Sequence, residues 1–227
     1  MDYGAGKRLI FLHGWGGEIA SFKGLADRLS ARFRITLIDL YGFGKTPHPD
    51  HPLCIEDYAR GVEDVIKTTG GGKVILVGHS FGGRIAMRLA ATNAEVVGLV
   101  LIDSAGVIPR RGLRYYWRVA RYKLAKKLDL KNKPLGSSDF AALSGAIKGT
   151  FINVVNESSI PDAKRIAVPT LLLWGSEDRD TPLYMCRKLQ KSIADCEEVI
   201  FEGAGHFSYL DRPDRSYLLI KAFAEGV

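Results

Sequence analysis

The sequence predicts an α/β fold, a doubly wound and mostly parallel sheet with a helical segment inserted near its middle. Three observations predict it. Six short runs rich in β-branched residues or leucine recur along the chain, and their continuous apolar character suits strands covered on both faces. Helical spacing of apolar residues separates the runs, which is the alternation of a sheet wound by right-handed crossovers. That alternation then fails from about residue 105 to about residue 168, where two helical patterns follow one another without a strand.

Taken in order, the strand runs are Leu9 to Leu12, Ile35 to Ile38, Val74 to Val77, Val97 to Ile102, Thr170 to Trp174 and Glu198 to Phe201. Phe22, Leu25 and Leu29 mark a helix after the first run, and Tyr58, Val62 and Val65 one after the second. Ile85 and Leu89 follow the third run, and Tyr217, Ile220 and Phe223 the last. Within the excursion, Leu113, Trp117, Ala120, Leu124 and Leu128 share one helical face, with Arg114, Arg118, Arg121 and Lys126 among the polar remainder. A second helix is predicted after the start signal Ser137-Ser138-Asp139, aligning Phe140, Leu143, Ile147, Phe151 and Val154. The expected organisation is one core, 1–104 and 169–227, interrupted by a helical cap at 105–168.

Composition bounds the function. A chain of 227 residues is long enough for one α/β domain that buries roughly 70 to 75% of its unfolded surface, so no metal or disulfide staple is required. Cys54, Cys186 and Cys196 are odd in number and lack C-x-x-C spacing, which points to a reducing compartment and away from a zinc site. The residues from Met1 to Lys7 lack a signal-peptide layout, and no apolar run approaches a membrane span; the expectation is a soluble, cytoplasmic protein without stable membrane insertion. The net charge of +7 is uneven, because Arg110 to Lys133 carries ten Lys or Arg against Asp129 alone. We read this basic stretch first as a solvated helix face, and after that as a surface for anionic lipid or a patch that steers carboxylate-bearing substrates. Nucleic-acid binding is not expected, since no binding module accompanies the charge.

The chemistry begins where Val74-Ile75-Leu76-Val77 breaks into Gly78-His79-Ser80-Phe81-Gly82-Gly83 and a helix starts. A strand-to-helix turn this sharp needs Gly78 and Gly82 to let neighbouring chain pass, and it holds the Ser80 hydroxyl out of the fold. Serine is a weak nucleophile at neutral pH, so an imidazole must accept its proton and a carboxylate must orient that imidazole. Of the histidines at 13, 48, 51, 79 and 206, His206 is the preferred base, since it lies in a glycine-bearing loop directly after the last strand run. Asp178, just beyond the preceding strand, is the preferred acid, with Glu177, Asp180 and Asp103 as competitors. Residues 13–17, His13-Gly14-Trp15-Gly16-Gly17, form a second glycine-rich turn that can aim a backbone N–H inward. Trp15 and Phe81 N–H groups would then make a two-donor oxyanion hole. The same turn lacks the residues of a phosphate-binding loop, and neither cofactor nor metal is expected.

With these motifs in place, the chain resembles the α/β-hydrolase family over nearly its whole length, in the capped, esterase-like serine hydrolase branch. The resemblance rests on His13-Gly14-Trp15-Gly16, Asp39 to Gly44, Gly78 to Gly82 and Gly205-His206, and on the order Ser80, Asp178, His206. It implies a hydrolase of small carboxylic esters acting through an acyl-enzyme. Only about seven residues precede the first core strand, where the family commonly has one or two more strands, so the sheet is expected to be short at that edge. His13, Tyr116, Trp117, Phe151 and Phe207 are the candidate pocket residues and suit a modest apolar acyl group. Relatives that cleave carbon–carbon bonds usually carry Asn before the serine and Trp after the histidine; His79 and Phe207 stand there in this chain. A ligand-sensing or regulatory protein on the same fold would fit the same motifs. The partner expected is a small-molecule ester, with a homodimer as the further association open to the chain.

Overall fold

In the computed structural model, which describes residues 1–109, 143 and 145–227, the predicted strand runs form β2 (Arg8–Leu12), β3 (Arg34–Ile38), β4 (Val74–His79), β5 (Val96–Ile102), β6 (Thr170–Gly175) and β7 (Cys196–Phe201). A strand not read from the sequence, β1 (Asp2–Tyr3), precedes them and pairs antiparallel with β3. The edge is therefore extended beyond the first predicted strand. Two residues are too few for a periodicity signal; side chains hold β1 in place, with Arg34 and the Thr36 hydroxyl both donating to the Asp2 carboxylate. The seven strands run in the order β1-β3-β2-β4-β5-β6-β7, and all pairs after the first are parallel.

Successive residues of each inner strand serve two cores. Leu9, Phe11, Ile75, Val77, Val100 and Ile102 face helices α1 (Ala20–Leu29) and α8 (Pro213–Gly226), meeting Phe22, Leu25, Leu29 and Ile220. Ile10, Leu12, Leu76, Leu99, Leu101 and Trp174 face the opposite layer of α2 (Ile55–Thr68), α3 (Phe81–Thr92) and α6 (Leu183–Gln190). Burying a Leu or Ile fully contributes about 1.5–3 kcal/mol, so a strand apolar on both faces is stable only in the middle of such a sandwich.

Between β5 and β6 lie α4 (Gly145–Asn156) and the short α5 (Ile160–Ala163). Helix α4 carries Ile147, Phe151 and Val154 as the spacing predicts, and Val154 is buried. It is stitched to the segment before α2: Thr150 Oγ1 accepts Leu53 N–H, and Asn153 donates to the Leu53 carbonyl. The start signal at 137–139, the first predicted helix and the basic stretch at 110–133 lie outside the described residues. The short α7 (Ser208–Asp211) is the remaining helix among the described residues.

Strand order reverses between β2 and β4, since β2 leads outward to β3 and β4 returns to its other side. Such a switch point opens a crevice beyond the carboxyl ends of the two strands. The turn at 13–17 leaves β2 there and Ser80 leaves β4 there.

Candidate active site

Ser80 has φ 49° and ψ −111°, a positive-φ backbone that costs a non-glycine residue about 1–3 kcal/mol. Main-chain bonds hold it: Ser80 N–H donates to Ile102 O at 3.1 Å, and Ser80 O accepts from Gly83 and Ala105 N–H. The elbow also presses helix α3 onto the end of β2. A Cβ at position 82 would lie 2.0 Å from the Leu12 carbonyl oxygen, and one at position 78 would lie 2.7 Å from the Gly82 oxygen, so both glycines are sterically required.

The loops after β6 and β7 bring the other two predicted residues to Ser80. His206 Nδ1–H donates to Asp178 Oδ2 at 2.9 Å, leaving Nε2 to accept the Ser80 hydroxyl proton at 3.0 Å. The remaining oxygen, Asp178 Oδ1, accepts N–H from Asp180 at 2.8 Å and Thr181 at 2.9 Å, and the Thr181 hydroxyl donates to Oδ2 at 2.6 Å. Burial raises the Asp178 pKa, but these bonds outweigh it and hold the carboxyl below its ordinary value. For His206, burial disfavours the charged form, yet the bonded Asp178 carboxylate outweighs that and lifts its pKa above 6.5. Asp178, Asp180 and His206 also offer three possible metal-ligand atoms within 4.8 Å of one another. The Asp178 and His206 atoms among them already serve the hydrogen bonds just described.

The turn after β2 lies against the elbow, as a Cβ on Gly14 would be 3.4 Å from Ser80 Cβ. Trp15 packs edge-on against Phe43, Phe81 and Phe151, with ring centroids 5.0–5.3 Å apart. Among the described residues neither the Trp15 nor the Phe81 N–H takes a protein acceptor, as two oxyanion donors require. The Asp39–Gly44 loop is fixed beside them, with the Asp39 carboxylate accepting N–H from Ile19 and Lys45.

His13 is 1% exposed, and both ring nitrogens are engaged: Nδ1 with Gly14 O and Nε2 with Leu40 N–H. It ties the ends of β2 and β3 together and leaves no nitrogen for a substrate, which departs from its expected place in the pocket. Phe151 meets Trp15, while Phe207 is 50% exposed with its ring 5.5 Å from that of His206, at the rim. Tyr116 and Trp117 lie outside the described residues.

Three supporting residues were not read as such from the sequence. Thr181 locks both Asp178 oxygens, and the Asp-x-x-Thr spacing of a side chain bonding main chain just ahead was the available signal. Buried His79 donates from Nε2 to the His206 carbonyl at 2.8 Å, and burial pushes its pKa down to about 4. Asp103, the competitor for the acid, has φ 44° and spans two loops, accepting Gly175 N–H at 2.8 Å and Ser208 N–H at 2.9 Å. Burial pushes its pKa up to about 7. Its oxygens are thus spent on the backbone that carries Asp178 and His206, and the carboxyl bonded to His206 is that of Asp178.

Comparison with known proteins adds the lineage. The chain is 27% identical over 244 residues to a pimeloyl-[acyl-carrier protein] methyl ester esterase of Legionella pneumophila, covering 97% of this chain and 96% of that protein. It is 26% identical over 239 residues to a 2-hydroxy-6-oxo-6-(2'-aminophenyl)hexa-2,4-dienoic acid hydrolase of Metapseudomonas resinovorans, covering 94% and 82%. Among solved structures it resembles a bacterial membrane phospholipase A with a TM-score of 0.80 and 26% identity, covering 99% of this chain and 81% of that one. The family model described as the alpha/beta hydrolase family matches residues 9–216, and the chain belongs to that family.

Proposed function

We propose that the protein is a cofactor-independent serine hydrolase of small carboxylic esters with a modest apolar acyl group. The reading rests on one continuous chain of hydrogen bonds, Ser80 Oγ to His206 Nε2 at 3.0 Å and His206 Nδ1 to Asp178 at 2.9 Å. Ser80 Oγ attacks the ester carbonyl carbon while its proton passes to His206 Nε2. Trp15 and Phe81 N–H hold the oxyanion, and each such donor contributes on the order of 3–4 kcal/mol in the transition state. Collapse breaks the carbon–oxygen bond, and the leaving alkoxide takes the proton from His206. The same His206 then deprotonates water, which attacks the acyl-enzyme and frees Ser80. Asp178 holds the imidazole in the tautomer that accepts.

Helix α4, the described part of the expected cap, sets Phe151 on Trp15 as one wall for the acyl group. The free thiols of Cys54, Cys186 and Cys196 suit a reducing compartment, and we place the protein in the cytoplasm. Among the described residues no helix is long and apolar enough to cross a membrane. Ring-cleavage-product hydrolysis is the second reading, favoured by the Metapseudomonas relative and disfavoured by His79 and Phe207. Hydrolysis of p-nitrophenyl acetate and butyrate by wild type and Ser80→Ala tests the first reading. Turnover that disappears in the variant is expected; turnover that survives it rules the proposal out.

A further inference from the structure

Past Leu37 the outer edge of β3 has no neighbouring strand among the described residues, since β1 is registered against Ile35 and Thr36 alone. A cavity of about 370 Å³ opens there, between that edge, helix α2 and the loop that runs from Asp39 to Thr46. Its size falls in the range of small-molecule sites, about 300–1,000 Å³. None of Ser80, Asp178, His206, Trp15 and Phe81 lines it, so it is a space apart from the triad.

The body of the cavity is apolar. Leu37, Ile38 and Leu40 line it from β3 and the strand's exit, and Tyr58, Val62 and Val65 line it from α2 at the spacing of one helical face. The loop supplies donors. Gly42 N–H donates to Thr46 O at 3.0 Å, closing the loop so that Tyr41, Lys45 and Thr46 come together at the cavity. Tyr41 is fixed there: its carbonyl accepts the Tyr58 hydroxyl at 3.0 Å, and its ring lies on α2 where Gly61 leaves room, since a Cβ at position 61 would be 2.7 Å from the ring.

The Tyr41 hydroxyl, the Lys45 ammonium and the Thr46 hydroxyl take no acceptor among the described residues. The acids on the same walls are committed. Asp2 is paired with Arg34, and Asp39 spends its oxygens on main-chain N–H of Ile19 and Lys45. An apolar space with three unspent donors, one of them an unpaired ammonium, suits an acceptor-only head on an aliphatic chain, and a carboxylate is such a head.

The cavity backs onto the active site. Tyr58 meets Phe81 with ring centroids 5.0 Å apart, and Phe43, in the loop that carries Tyr41, meets Trp15 at 5.0 Å. An occupant therefore adjoins the side chain and the loop that support the two residues assigned to the oxyanion hole.

We propose that this cavity is a second binding site, taking a free medium-chain aliphatic carboxylate with its chain along β3 and α2 and its head on Lys45 and the Tyr41 and Thr46 hydroxyls. The site stands whether or not the protein hydrolyses esters.

The test is calorimetric titration of the wild type with octanoate and with octylamine, which carries the opposite charge on the same chain. Octanoate should bind with a Kd of about 1 mM or lower, and at least about 10-fold more tightly than octylamine. Lys45→Glu should weaken octanoate at least about 10-fold and reverse the preference, and Val65→Trp, which fills the cavity from α2, should abolish octanoate binding. Methyl NMR of the wild type should show octanoate shifting the resonances of Ile38, Val62 and Val65. Lys45 is an exposed side chain, so its variant decides the matter if Val65→Trp does not fold. Absence of octanoate binding up to about 10 mM, or octylamine binding as tightly, overturns the proposal. Octanoate binding that both variants leave unchanged would place the carboxylate elsewhere, the acyl pocket included, and overturns it as well.

Discussion

Replacing Asp178 by asparagine should cost about four orders of magnitude in kcat while leaving the fold almost as stable. The structure dictates how the amide must sit. Oδ1 receives main-chain N–H from Asp180 at 2.8 Å and Thr181 at 2.9 Å, so the asparagine oxygen has to occupy that position. Its NH2 is then forced to the Oδ2 position, 2.9 Å from His206 Nδ1. An NH2 can only donate, so Nδ1 must hold the lone pair and the ring proton must move to Nε2. That nitrogen faces Ser80 Oγ at 3.0 Å and can no longer take its proton. A tautomer change of this kind lowers kcat roughly 10⁴-fold in serine hydrolases, about 5 kcal/mol in the barrier. The Thr181 hydroxyl can turn to the Asp103 carbonyl 3.0 Å away and accept from the new NH2, so the stability cost is about 1 kcal/mol and the melting temperature falls by about 2–4 °C. The assay is p-nitrophenyl butyrate hydrolysis between pH 5.5 and 9, with thermal melts alongside. Wild-type activity should fall as the pH drops through the raised His206 pKa, above 6.5, and the residual limb of the variant should move to lower pH once the carboxylate is gone. A variant that folds and keeps a tenth or more of kcat refutes the tautomer argument.

Two further outcomes follow from the buried groups around the elbow. Because burial holds the folded-state pKa of His79 near 4, the unfolded chain binds the proton first on acidification from 6.5. Stability should therefore drop by about 3 kcal/mol between pH 6.5 and about 4, and urea midpoints should show a shallower drop for His79→Asn; an unchanged slope would mean another group governs it. Gly82→Ala should lose about 3 kcal/mol or more in urea unfolding, since its Cβ would lie 2.0 Å from the main-chain oxygen of Leu12. Wild-type stability in that variant would show that the elbow yields more readily than its packing implies.

The fold was legible because the inner strands carry consecutive apolar residues, as in Leu9–Leu12 and Val74–Val77, which only a sheet covered on both faces can use. Leu9 and Ile10 point to different cores, yet both have to be apolar. Ser80 and His206 were legible because steep geometric demands leave glycine signatures beside them. Strand β1 was not, since its two residues are held by the Asp2 carboxylate and not by a pattern. His13 departs from its expected place in the pocket for a related reason. A histidine in a glycine-rich turn looks available for ligands, whereas its two nitrogens are spent joining main chain at residues 14 and 40, a contact 27 residues away that no local spacing reveals. Asp103 and Asp178 both follow strands that point at the same crevice, and only three-dimensional placement separates the one that meets His206 from the one that braces its loop.

Acylation of Ser80 is the step on which the proposed chemistry depends. Wild type should be mixed with excess p-nitrophenyl butyrate, quenched in acid within the burst of nitrophenol release, digested and weighed by mass spectrometry. One butyryl group on the peptide containing Ser80, absent from Ser80→Ala, is the predicted result. Turnover of the ester with that peptide unmodified and no burst would contradict it.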